Sequence, residues 1–301
     1  MAGKGIANEW GAIQRVVVGT AESMGAAPAL EACYDPTSRH HIAASSYPVE
    51  ADVQRELDGL AQILQEVGAE VIRPQVIEGL IQVFARDIGM VVDDVLLRAR
   101  TISERAGEWD GLTDALAGLH AENLPEGVRL EGGDLLVLDG ALAVGVTPDN
   151  QLSGLKTARS NASAVAFLKE RFPSREVLPI ALSKDDIDPR ACTLHLDCAF
   201  MPLGGGHAIV NSGAFLRPDE LEALLEIHGS AGVLDVDAQQ AMLLQTNLFN
   251  LGPTTVLSDA RFEHVNSALR NWGYQVLTTK MEHVGRMGGL LRCTTFPLLR
   301  L

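Results

Sequence analysis

The chain predicts an α/β protein whose small sheets recur around a ring. Three observations predict it. Paired apolar runs joined by turn residues return along the whole length. Amphipathic helical stretches separate them. Two of those stretches stop at a glycine just before a β-branched run.

In chain order, residues 25–48 are long and weakly patterned and read as a lid loop. Residues 51–67 read as a helix, with Val53, Leu57, Leu60, Ile63, Leu64 and Val67 at helical spacing. Gly68 suits the position past its end, before the strand Val71-Ile72. Residues 88–92 and 95–97 form a hairpin turning at Asp93-Asp94, followed by a helix near 108–119. Residues 135–138 and 141–144 form another, and its Asp139-Gly140 turn is a strong hairpin signal. A helix over 162–171 follows. Residues 198–201 and 208–210 pair through the Gly204-Gly205-Gly206 turn, ahead of a helix over 218–227. Residues 247–250 pair with 255–257. A helix over 259–272 then takes Asp259 as N-cap and Gly273 as its stop, before the strand Val276-Leu277. The last strand starts at Leu290.

Roughly five such units would close into a cyclic array with few open edges, gathering loops from every unit at one central place. An ordinary open α/β sheet is the competing arrangement. No shift in composition marks a boundary, so residues 1–301 read as one domain.

With 47% hydrophobic and 21% charged residues the chain has ample core and no strongly polar stretch. A formal charge of -15 argues against nucleic acid and against an anionic membrane surface. There is no apolar run near the N-terminus and no segment of spanning length. Cys33, Cys192, Cys198 and Cys293 form no C-x-x-C pair and read as reduced thiols in a cytoplasmic protein.

Four segments carry reactive groups: Phe84-Ala85-Arg86-Asp87, Glu131-Gly132-Gly133-Asp134, His195-Leu196-Asp197 and Gly288-Gly289-Leu290-Leu291-Arg292-Cys293. A lone cysteine is most often core filler. Cys293 differs in having two glycines before it and Thr294-Thr295 after it. Residues 193–198 alternate like a strand, which would put His195 and Asp197 on one face. A solvent-facing edge is the bland alternative for that pair, and an acidic turn is the bland alternative for the segment at 131–134. Together the four suit a guanidinium. That group is planar and cationic, and forked carboxylates hold it best. Its poorly electrophilic carbon calls for a thiolate, and its leaving nitrogen calls for an acid such as an oriented histidine.

In this order the four segments resemble the guanidino-group modifying enzymes of the pentein fold: arginine deiminases, dimethylarginine dimethylaminohydrolases and amidinotransferases. The resemblance extends over nearly the whole chain. Residues 9–22, beginning Glu9-Trp10-Gly11, resemble the amidinotransferase branch, as do Leu194-His195-Leu196-Asp197 and Met201-Pro202-Leu203. It implies an α/β propeller of five ββαβ units around a pseudo-fivefold axis. It also implies that Cys293 attacks the guanidinium carbon to form a thiouronium, that His195 moves protons, and that Glu131 orients His195. Asp87 and Asp197 would hold the guanidinium nitrogens, with Asp134 assisting. Glu131-Gly132-Gly133-Asp134 departs from the Asp-Ala-Ala segment of amidinotransferases and resembles the hydrolase branch. Hydrolysis of arginine, an arginine derivative or a small substituted guanidine is therefore expected, with amidino transfer as the alternative. Arg129, Arg292, Arg39 and Arg105 are candidates for clamping a substrate carboxylate. No metal and no cofactor are expected, and a homo-oligomer is the base-rate expectation.

Metal-dependent guanidine hydrolysis is disfavoured because His195-x-Asp197 stands alone in sequence. A papain-like hydrolase is disfavoured because there the cysteine precedes the histidine. A non-catalytic ribosome anti-association factor of the same architecture would have no use for the four segments in register.

Overall fold

The first and last strands of the chain pair with each other. Strand β1 (Ile13–Val18) runs antiparallel to the C-terminal strand Thr295–Arg300, with Val18 opposite Thr295. The computed structural model describes residues 5–148, 151–152 and 154–301.

After β1 come α1 (Pro36–Ala43), α2 (Glu50–Glu66) and β2 (Glu70–Ile72). The second unit holds β3 (Gly89–Val92), β4 (Val95–Arg98) and β5 (Ala121–Asn123). The third holds β6 (Leu135–Leu138), β7 (Ala141–Val146), α3 (Ala162–Arg171) and β8 (Glu176–Ala181). The fourth holds β9 (Phe200–Pro202), β10 (His207–Val210), α4 (Pro218–His228) and β11 (Gly232–Asp235). The fifth follows α5 (Ala238–Met242) with β12 (Phe249–Gly252), β13 (Thr255–Asp259), α6 (Glu263–Asn271) and β14 (Gln275–Thr279). Then α7 (Glu282–Gly285) leads to β15 (Thr295–Arg300).

These strands make five three-stranded sheets with one repeated pattern. Each has a middle strand antiparallel to one neighbour and parallel to the other. In four sheets the hairpin is contiguous in sequence. In the fifth, β15 supplies the missing hairpin partner of β1 and so closes the ring. Five three-stranded units close the ring, four of them with an α-helix before the third strand and the second with only 3-10 turns there, and the open-sheet alternative is excluded.

Helix α2 buries Val53, Leu57, Leu60 and Leu64, all from the stripe read in sequence. Gly68 and Gly273 adopt φ of 91° past the ends of α2 and α6, where a side chain would be strained.

Several elements differ from expectation. Residues 108–119 form a short 3-10 turn (Glu108–Leu112) and then irregular turns, not a helix. Gly107, Gly111 and Gly118 weaken it, and Gly111 packs where a Cβ would meet the Gln75 carbonyl at 2.6 Å. Asp259 ends β13 and does not cap α6; its carboxylate accepts from the backbone N–H of Arg261 and Met281, and the helix starts after Phe262. The lid segment contains α1, capped by Asp35, whose carboxylate accepts from Ser38 N at 2.7 Å. The last strand begins at Thr295, leaving Cys293 in a turn.

Apolar faces of the sheets and helices form three clusters around the ring. A buried polar group joins them: Arg292 donates to Glu9 and Asp197, and Arg300 donates to the carbonyls of Gly11 and Asn250. Burial alone would raise the Glu9 pKa, but Arg292, Arg86 and Arg300 pull it down to about 2. The N-terminal segment is thereby tied to the C-terminal turn that carries Cys293. Among the described residues no helix is long and apolar enough to cross a membrane.

Candidate active site

Every unit enters its first strand through a short turn, and each turn delivers a polar side chain. The turn Ala85–Ile88 before β3 carries Asp87. The turn Gly132–Asp134 before β6 follows Glu131. The turn Leu196–Cys198 before β9 follows His195. Asn247 precedes β12, and Cys293 precedes β15. Fivefold repetition thus brings five distant sequence positions to one end of the ring.

His195 lies between two carboxylates. Its Nε2 is 2.8 Å from Glu131 Oε2 and its Nδ1 is 3.6 Å from Asp87 Oδ1. The close approach depends on Gly133, where a Cβ would stand 2.7 Å from both the His195 ring and Asp87 Oδ1. Burial alone would lower the imidazole pKa, but Asp87, Asp134 and Glu131 raise it to about 9. His195 is therefore an imidazolium at neutral pH. Burial opposes ionisation of Glu131, yet Arg159 and His195 hold it well below the usual carboxylate range. Glu131 Oε2 accepts from Arg159 Nη1 at 3.0 Å, and Oε1 accepts from Ile102 N at 3.2 Å.

Asp87 uses one oxygen only. Its Oδ2 accepts from Arg105 at 2.5 Å, and Arg105 also grips Glu108 and the Phe84 carbonyl. Asp87 Oδ1 is buried with no hydrogen-bond partner among the described residues. An orphaned carboxylate oxygen in such a place is costly unless a donor completes it.

Asp87, His195 and Cys293 line one small cavity with Tyr34, Asp35, Arg105 and Arg159. Its volume is about 10 Å3, room for about one water. Tyr34 and Asp35 come from the segment read as a lid, and Gly288-Gly289 brings the backbone against the other side. Cys293 is held from below by Asn247, whose Oδ1 accepts from the backbone N–H of Arg292 and Cys293 at 3.0 and 3.1 Å.

Several expected substrate contacts lie elsewhere. Residues 193–198 are not a strand: the backbone turns after His195, so His195 and Asp197 do not share a face. Asp197 sits beneath the thiol, 3.8 Å from Cys293 Sγ, with Oδ2 accepting from Arg292 at 2.8 Å. Asp134 is a brace, accepting from Ser160 Oγ and from Leu196 N. Arg292 is fully buried against Glu9, Asp197 and the Leu135 carbonyl, so it cannot clamp a substrate carboxylate. Arg129 donates to the carbonyls of Leu152 and Ala158 and does not line the cavity. Arg39 donates to the Leu30 carbonyl. Of the four arginines weighed for a clamp, Arg105 lines the cavity, already paired with two carboxylates.

Arg159, Asp35, Tyr34 and Asn247 escaped the sequence reading. Only Asn247 left a signal, standing just before an apolar run as Asp87 and Asp134 do.

Two groups of three ligating atoms lie within 4.8 Å of one another: Asp87, Glu131 and His195, and Asp197, Cys198 and Cys293. His195 therefore does not stand alone as its sequence neighbourhood suggested. Both groups abut buried guanidinium groups, Arg105 and Arg159 at the first and Arg292 at the second.

No protein-family model matches the chain. It is 27% identical over 296 residues to the uncharacterized protein YkgA of Bacillus subtilis (strain 168), covering 97% of this chain and 94% of that protein. Among solved structures it is similar to SxtG, an amidinotransferase from Microseira wollei in the saxitoxin biosynthetic pathway. The TM-score is 0.76 at 18% identity, covering 98% and 97% of the two chains. The N-terminal domain of ArgZ, an arginine dihydrolase from cyanobacteria, superposes with a TM-score of 0.77 at 19% identity, covering 96% and 98%. The inosamine-phosphate amidinotransferase StrB1 of Streptomyces griseus gives 0.75 at 18% identity, covering 98% and 96%. The chain therefore has the pentein fold, the architecture of these guanidino-group modifying enzymes.

Proposed function

We propose that the protein is a cysteine-dependent hydrolase of a guanidino C–N bond, acting through a covalent thiouronium on Cys293. The substrate class is arginine, an arginine derivative or a small substituted guanidine, nitroguanidine included. One observation carries the reading: Cys293, the imidazolium of His195 and the orphaned Asp87 Oδ1 face the same enclosed cavity.

In this mechanism a guanidinium N–H donates to Asp87 Oδ1, and Cys293 Sγ attacks the central carbon. As the C–N bond breaks, His195 gives its proton to the leaving amine. The Nδ1 edge performs this step, because Nε2 is engaged by Glu131. Neutral His195 then takes a proton from water as the water attacks the thiouronium carbon, and the Cys293 thiolate departs. Glu131, fixed by Arg159, holds the ring through both steps. Asp197 and Asn247 position the nucleophile's turn.

Gly132-Gly133 favours the hydrolase reading over transfer. A side chain at 133 would press on His195 and Asp87, so the alanine expected of amidinotransferases does not fit this arrangement. Amidino transfer remains the second reading, because SxtG and StrB1 match over nearly the full length of both chains.

The deciding experiment is mass spectrometry of products from arginine, methylated arginines, agmatine, guanidinoacetate and nitroguanidine, each with and without a primary-amine acceptor. A ureido product or released amine, indifferent to acceptor and lost in Cys293→Ala, supports hydrolysis. A new guanidino product that requires the acceptor supports transfer. Silence across the panel overturns both.

A further inference from the structure

The mechanism leaves one buried nucleophile unused. Cys198 lies beside Cys293: the two Sγ atoms and an Asp197 carboxylate oxygen are within 4.8 Å of one another. The Asp197 carboxylate stands between the thiols, with Oδ1 3.4 Å from Cys198 Sγ and Oδ2 3.8 Å from Cys293 Sγ. Contact with Cys293, burial and Asp197 all push the Cys198 thiol pKa up, so it rests as a protonated thiol. Packing alone does not call for a second sulfur here, since a small apolar residue would fill the space as well.

Each thiol also faces its own cavity. Cys293 lines the catalytic cavity. Cys198 lines a neighbouring cavity of about 100 Å3, whose walls share Asp35, Leu194 and Gly288 with the first. Both cysteines sit in turns that precede strands, so side-chain rotation can bring the sulfurs together without breaking a ladder.

We propose that Cys198 is a resolving thiol that forms a reversible disulfide with Cys293 on exposure to a hydroperoxide. In the first step the Cys293 thiolate attacks the peroxide: an S–O bond forms, the O–O bond breaks, and the leaving hydroxide or alkoxide takes a proton from His195, which lines the same cavity, to depart as water or an alcohol. In the second, Cys198 sulfur attacks the sulfenic sulfur while its proton passes to Asp197. The S–S bond forms, the S–O bond breaks, and the hydroxyl leaves as water with that proton. The disulfide blocks the nucleophile and protects it from irreversible over-oxidation. The pairing stands on the thiol geometry; its consequence for turnover rests on Cys293 being the nucleophile.

The test treats the reduced full-length protein with graded hydrogen peroxide, blocks remaining thiols with iodoacetamide, and maps peptides by mass spectrometry. The expected product is a Cys198–Cys293 linked peptide, about 2 Da lighter than its two reduced halves together. It should disappear fully with dithiothreitol and form equally in the Cys33→Ser/Cys192→Ser double variant. In Cys198→Ala, and in Cys198→Ser should the alanine variant misfold, Cys293 should run to sulfinic acid that dithiothreitol does not reverse. Cys293 over-oxidised in the wild type with Cys198 still alkylatable would overturn the proposal, as would a disulfide through Cys33 or Cys192. Neither readout needs turnover. A linked peptide in a protein silent on all guanidines would sink the hydrolase reading alone, and a turning-over enzyme without the link would sink only the resolving thiol.

Discussion

His195 Nε2 lies 2.8 Å from Glu131 Oε2, and the two side chains are 1% and 0% exposed. Burial this complete makes the pair an electrostatic unit. The imidazolium is stable there only because three carboxylates outweigh its lost hydration, and Glu131 stays ionised only because Arg159 and His195 face it. That coupling gives the site a proton donor at neutral pH.

Glu131→Gln should lower kcat/KM about a hundred- to ten-thousand-fold. It should also move the alkaline limb of the pH profile down from about 9, because one of the charges holding the proton on His195 is gone. A pH series of kcat/KM on wild type and variant checks this. A uniform loss with an unmoved limb would mark Glu131 as merely structural.

The same shift predicts the pH dependence of stability. The folded pKa of His195 is raised from 6.5 to about 9, so its contribution is full below pH 6.5 and disappears as pH rises through about 9. The loss is about 3 kcal/mol across that window. Urea midpoints measured from about pH 7 to about pH 9 should fall more steeply in wild type than in His195→Asn. Glu108, raised by burial to about 7 despite Arg105, titrates in the lower window between 4.5 and 7 and is separable on that ground.

The hairpins were legible because turn residues between apolar runs are a local signal: Asp93-Asp94 and Asp139-Gly140 mark their turns as read. The reactive residues were legible as segments but not as geometry. Alternation at 193–198 suggested a strand, yet Asp134 accepts from Leu196 N and holds the backbone in a turn, sending Asp197 beneath the thiol. The arginines were the least legible. Arg159 meets Glu131 across 28 positions and Arg292 meets Glu9 across 283, and no periodicity encodes contacts of that separation. Arg292, beside Cys293 in sequence, is one of four candidates for a substrate clamp, whereas its side chain is buried against Glu9, Asp197 and the Leu135 carbonyl.

An inert guanidinium should speed alkylation of Cys293. A thiolate there faces the Asp197 carboxylate at 3.8 Å and shares its cavity with Asp87, so two carboxylates contribute a repulsive field at the sulfur. A cation bound at Asp87 Oδ1 offsets that field. Iodoacetamide rates followed across pH, with and without guanidinium chloride at low millimolar concentration, check this. An unchanged pH profile would sink the idea that the substrate activates the nucleophile.

Gly133→Ala should act through His195. Its Cβ would meet the imidazole and Asp87 Oδ1 at 2.7 Å, and both are too enclosed to yield freely. Overpacking of this kind costs about 1–3 kcal/mol. The larger effect should be on kcat, through a displaced ring, with KM for small guanidines little changed. Crystals of the variant or a histidine NMR shift would locate the displacement. Unchanged kcat would show that the glycine pair has no part in setting the ring.

Arg292→Ala tests whether the residue before Cys293 binds substrate or holds the fold. Its guanidinium satisfies Glu9, Asp197 and the Leu135 carbonyl, and Arg86 and Arg300 are the other cations that lower the Glu9 pKa. Removal leaves two buried carboxylates without their main partner, a loss of about 3–5 kcal/mol. Thermal unfolding should register that loss equally with and without substrate. A substrate-clamping arginine behaves differently: its removal raises KM for arginine while sparing agmatine, which lacks the carboxylate, and leaves the apo protein's Tm unchanged. Tm and the arginine-to-agmatine KM ratio, measured on one variant, therefore separate the two roles, and the buried ion pairs predict a lowered Tm with the ratio intact.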